Sequence, residues 1–105
     1  MNGMVRHQPR VAFDAARVLV DVAGGEAGLF AWYAEQLVVM FGPSCRRELS
    51  ATRKELTTSP RANTRDVEGG KWRARIEDLL RTRPEVTESL HQLTLSARVR
   101  LPHAG

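Results

Sequence analysis

Glycine and proline cut this chain into five short lengths, and each length carries its apolar residues at helical spacing. The cuts are Gly24-Gly25, Gly42-Pro43, the polar run over residues 57–63, and Pro84; Pro102 closes the last length. Glycine commonly follows a helix C-terminus, and proline cannot continue a helix interior. No length alternates apolar and polar residues as a half-buried strand would, although residues 37–41 are β-prone in isolation. The pattern predicts an all-α fold: a small bundle of four to five helices with a C-terminal antiparallel helical hairpin.

The spacing within each length sharpens this. Residues 11–23 read as a first helix, with Val11, Ala15, Val18, Leu19 and Val22 three or four apart. Residues 26–41 read as a second, opened by Glu26 at the positive end of the helix dipole. Leu29, Trp32, Tyr33, Leu37, Met40 and Phe41 share one side, and Phe30, Ala34, Val38 and Val39 carry apolar surface round much of the rest. A helix that is apolar nearly all round is buried on most faces or lies in a membrane. Residues 44–56 form a third helix capped by Ser44, with Cys45, Leu49, Thr52 and Leu56 inward. A fourth is capped by Asn63 or Thr64 and carries the stripe Trp72, Ile76, Leu79, Leu80. Gly69-Gly70 weakens its start, at about 1 kcal/mol per glycine relative to alanine, so that a proper beginning is expected only at Lys71. Pro84 suits the first position of a fifth helix, whose seam is Val86, Leu90, Leu93 and Ala97. The fourth and fifth helices are expected to close on each other, with Trp72 and Ile76 packed against that seam.

At 105 residues the chain is one domain, residues 1–105. Residues 1–9 show no pattern and read as a disordered terminus. Residues 10–43 form an apolar helical half, and residues 44–105 a charged helical half. Residues 1–43 carry a net charge of −1 and the remainder +5, and five of the six aromatics lie in the first part. A secretory leader does not fit, because Asp14 and Arg17 interrupt the apolar run it would need.

Candidate chemistry is sparse. His7, His91 and His103 form no pair at helical spacing, so neither a metal nor a histidine-based catalytic centre is expected. The lone Cys45 has no partner for an intramolecular bridge; a helix N-terminus beside Arg46 and Arg47 would favour its thiolate, whereas a packed thiol is inert. The run Gly24-Gly25-Glu26-Ala27-Gly28 lacks the Gly-x-Gly-x-x-Gly spacing and places an acid where a phosphate would sit; its small residues instead permit close helix approach. Lys71-Trp72-Arg73-Ala74-Arg75 could stack on bases and pair with phosphates. Trp72, however, belongs to an apolar stripe and Glu77 and Asp78 dilute the charge, which argues against nucleic acid. Residues 27–43 hold only one charge, Glu35, but fall short of the roughly 20 apolar residues of a transmembrane helix.

The motif Trp72-x-x-x-Ile76-x-x-Leu79-Leu80-x-x-x-Pro84-Glu85-Val86-x-x-x-Leu90 resembles the C-terminal half of small helical accessory proteins of high-GC bacteria, which accompany signalling or conflict-system effectors. The layout is similar over residues 15–101. The resemblance implies adaptor work, not catalysis; separately, no catalytic residue and no cofactor is expected from the residues.

Between Val11 and Phe41, 22 of 31 residues are hydrophobic, more than a five-helix monomer needs to bury. Contiguous exposed apolar surface marks interfaces. The expectation is a cytoplasmic, non-catalytic interaction module that binds itself as a homo-oligomer and a further protein partner. Leu29, Phe30, Trp32, Tyr33, Leu37, Val38 and Phe41 are the expected contact residues. The alternative is a membrane-associating protein whose first two helices insert while the basic half stays at anionic headgroups. Weak nucleic-acid binding is a third reading.

Overall fold

A computed structural model describes residues 7–58 and 61–102. It contains α1 (Gln8–Ala23), α2 (Ala27–Phe41), α3 (Ser44–Thr58), α4 (Thr64–Thr82) and α5 (Thr87–Arg100), with one turn of 3₁₀ helix over Pro84–Val86 before α5. Among the described residues there is no strand, and residues 37–41 are helical. The all-α expectation holds.

The centre of the bundle is α1. Its sequence is rich in alanine and valine, and nine of its sixteen residues are buried: Val11, Ala12, Ala15, Ala16, Val18, Leu19, Val20, Val22 and Ala23. Small side chains over most of its circumference let neighbouring backbones approach closely. The other four helices accordingly pack on α1, with α4 and α5 the closest. The helix begins with Pro9 in its first turn, where a missing N–H costs nothing. Gln8 and Pro9, expected in a disordered terminus, are therefore helical. The Gln8 amide also donates to the Leu80 carbonyl at 3.2 Å and to Thr87 Oγ1 at 3.4 Å, tying the start of α1 to the α4–α5 corner. Residues 1–6 lie outside the described ones.

Arginines close the C-termini of α1 and α2. The α1 C-terminus leaves carbonyls without helical partners, and Arg53 Nη1 of α3 donates to Ala23 O and Gly25 O, both at 3.0 Å. Arg83 Nη1 does the same for α2, donating to Met40 O at 2.8 Å. At the head of α2 the Glu26 carboxylate accepts from the amides of Gly28 at 2.8 Å and Leu29 at 3.0 Å. Those two N–H groups hold the Glu26 carboxyl below its ordinary range. The helix stops at Gly42, whose φ of 96° is a left-handed conformation that a side chain would strain.

Two expectations about α4 and α5 are corrected. First, α4 starts at Thr64 and runs unbroken through Gly69-Gly70, and its N-cap Asn63 makes no side-chain bond. Packing of Trp72, Ile76 and Leu80 outweighs the propensity deficit of two glycines. A Cβ at Gly70 would meet nothing within 4 Å. Gly70→Ala should therefore stabilise the fold by about 0.5–1 kcal/mol, read as a raised thermal midpoint. Second, α4 and α5 pack chiefly on other helices: α4 on α1, and α5 on α1 and α2. The seam residues Leu90, Leu93 and Ala97 are buried as expected, but their main neighbour is the central helix.

Candidate interaction surface

The seven expected contact residues divide. Tyr33 and Leu37 are fully buried and belong to the core, so they offer nothing to a partner. Their place follows from helical spacing: 33, 34 and 37 form the inward edge of α2. Leu29, Phe30, Trp32, Val38 and Phe41 are half-buried, packed against the core from its edge, together with Met40. The outer edge of α2 carries Ala27, Gly28, Ala31, Glu35 and Val39, all exposed. Val39 is 83% exposed, the most exposed large apolar side chain among the described residues. It follows Trp32 by seven residues, so both lie on one side of the helix.

Cations border this face. The Arg100 guanidinium of α5 lies 4.1 Å from the centroid of the Trp32 ring, and that of Arg53 lies 5.0 Å from Phe30. Such contacts hold aromatic rings in place while leaving one flank wet. Arg46 Nη2 of α3 pairs with the Glu35 carboxylate at 2.9 Å. On α5, Leu95 and Val99 are 39% and 79% exposed, one turn apart on its outer side. Spacing alone marks both as lying off the α5 seam, but their openness depends on how α5 is turned against α1.

Beneath α2, the Tyr33 hydroxyl is buried without a hydrogen-bond partner among the described residues. Burial pushes its ionisation well above the ordinary tyrosine range, and the neighbouring Cys45 adds to the effect. Cys45 is 4% exposed. Burial, and then the Glu48 carboxylate, raise its thiol pKa more than Arg46 lowers it. The activated thiolate that its position in the sequence would allow is therefore not formed. An aromatic disulfide reagent should label native Cys45 only as fast as the protein opens, and promptly in denaturant.

Trp72 is likewise claimed by the core. It is 1% exposed, and its indole N–H donates to Thr52 Oγ1 of α3 at 2.7 Å. Thr52 in turn donates to Glu68 Oε1 at 3.0 Å, and Lys71 Nζ lies 3.2 Å from Glu68 Oε2. Arg75 covers the outer face of the ring at 4.5 Å and pairs with Glu48 at 3.6 Å. The ring is thus enclosed and not free to stack on a base, which removes the stacking residue from the 71–75 run.

Among the described residues no group of three or more His, Cys, Asp or Glu side chains is placed to hold a metal ion. No described helix is long and apolar enough to cross a membrane. Comparison with protein-family models, with curated proteins and with solved structures finds nothing that matches this chain.

Proposed function

We propose that the protein is a cytoplasmic, non-catalytic helical interaction module that self-associates through the outer face of α2. One observation carries this reading. The most apolar helix of the chain, with Glu35 its single charge, has only Tyr33, Ala34 and Leu37 buried out of fifteen residues. Half-buried Leu29, Trp32, Val38 and Met40 and the open Val39 remain at its flanks and outer edge, bordered by Arg46 and Arg100. An apolar centre with a charged rim is the usual anatomy of a protein contact. The bare edge of Ala27, Gly28 and Ala31 would let a second helix approach closely. A two-fold arrangement, α2 against α2, uses one patch twice and closes on itself. An adaptor role also agrees with what the resemblance over residues 72–90 implies.

Val39→Glu tests this without disturbing the monomer, because the side chain is already in solvent. Light scattering after size separation should show wild-type particles heavier than 11.7 kDa. The variant should assemble roughly 100-fold more weakly, since a carboxylate left unpaired in an interface costs several kcal/mol. Its helical content and thermal midpoint should equal those of dilute wild type. A wild type of single-chain mass at all micromolar concentrations would contradict the reading.

A further inference from the structure

A second surface, between α1 and α4, has a shape that packing does not explain. α1 and α4 run antiparallel, with Asp21 paired to Arg65 at one end of their junction. Their outer edges then part around a groove of about 420 Å³, whose floor is Ala16, Val20, Gly69 and Gly70. That volume lies in the range of small-ligand sites, roughly 300–1,000 Å³. The two glycines make the groove. They sit consecutively inside a 19-residue helix, where glycine is the least favoured residue after proline. A Cβ at Gly70 would meet nothing within 4 Å, and one at Gly69 would meet only Val20 Cγ2 at an ordinary 3.7 Å. Neither close packing nor backbone conformation therefore requires them. A local rule broken with no gain to the fold points to use of the space.

The rim defines the chemistry. Arg17, Arg65 and Arg73 face Asp21 and Asp66, an excess of one positive charge. Arg65 is engaged by Asp21, and Arg73 only loosely by Glu77, at 3.9 Å. Arg17 is exposed and makes no ion pair among the described residues; its guanidinium lies 5.7 Å from the centroid of Phe13. Phe13 itself is 40% exposed beside it. We propose that this groove binds a small amphiphilic anion. The oxyanion meets the guanidiniums of Arg17 and Arg73, which match it with paired N–H donors. The aromatic or acyl body lies on Phe13, Val20 and the bare glycine backbone. The site is independent of the α2 face.

The probe is anilinonaphthalene sulfonate, titrated into the full chain by fluorescence and by amide NMR. Decanoate and decyltrimethylammonium serve as competitors of equal length and opposite charge. Saturable one-to-one binding should shift the Gly69 and Gly70 amides. Decanoate should displace the probe and the cationic amphiphile should not. Gly70→Leu fills the groove from a position with open space, so the thermal midpoint should hold or rise while affinity falls at least about tenfold. Arg17→Gln, at an exposed position, should lose affinity with no change in fold. Val39→Glu should bind as wild type. Unsaturable binding, equal displacement by both amphiphiles, or wild-type affinity in both Gly70→Leu and Arg17→Gln would overturn it.

Discussion

Trp72→Ala should lower the free energy of unfolding by about 3–5 kcal/mol. The indole is the largest of the fully buried side chains, and it stands where α4 meets α3 and the central helix. Truncation removes its packing and leaves a void between helices that are each pinned elsewhere, by Gln8 at one end of α1 and Arg53 at the other. The cavity therefore collapses only in part. A domain of this length is stable by about 5–15 kcal/mol in all, so the loss consumes much of the margin. On the order of 15–30 °C should go from the thermal midpoint. Chemical denaturation of the Trp72→Ala protein measures it directly. A loss under about 1 kcal/mol, the range of surface substitutions, would mean that the ring is not enclosed.

Thr52→Val should cost about 2–4 kcal/mol, although it exchanges one hydroxyl for a methyl. That hydroxyl does two things at once: it accepts the Trp72 indole N–H and donates to the Glu68 carboxylate. Valine can do neither. It would strand a buried donor and deprive a carboxylate that is 6% exposed of one of its two partners, leaving Lys71. Thr52→Ser keeps the hydroxyl and should recover most of the loss. The contact also predicts non-additivity. Once Glu68→Leu has removed the carboxylate, Thr52→Val should cost less, by about 0.5–3 kcal/mol, in a double-mutant cycle. Additivity within about 0.5 kcal/mol would show that Thr52 and Glu68 do not interact.

Helix boundaries were the most legible part of the chain, because they are written in local chemistry. Gly24-Gly25, Gly42-Pro43 and Pro84 each end or begin an element within a few residues of the expected place. Gly69-Gly70 misled as a boundary because the penalty for glycine is local, whereas the burial of Trp72, Ile76 and Leu80 that outweighs it is tertiary. Centrality was not legible either. Bulk drew attention to α2, with its aromatics, while the helix that is enclosed is α1, with its alanines. Close approach from several sides selects small residues, and large rings such as Phe30 and Trp32 do better at the edge, where they pack on one flank only. Much of the apolar surplus of residues 11–41 is thus absorbed within the monomer by α1. This narrows the expected contact residues to those on the flanks of α2, removes Tyr33 and Leu37, and adds Val39. The Trp72–Thr52–Glu68 chain could not be foreseen, since it depends on the register of α3 against α4. The bare groove beside Gly70 depends in the same way on the pairing of α4 with α1.

The most direct test of the interaction reading is hydroxyl-radical footprinting of the wild-type protein along a concentration series. It reports where contact occurs as well as whether it occurs. Trp32 and Met40 flank the proposed contact, and Phe13 lines the groove between α1 and α4. As concentration rises, oxidation of Trp32 and Met40 should fall while that of Phe13 stays constant. Labelling of all three that is independent of concentration, or protection of Phe13 alone, would contradict self-association through α2.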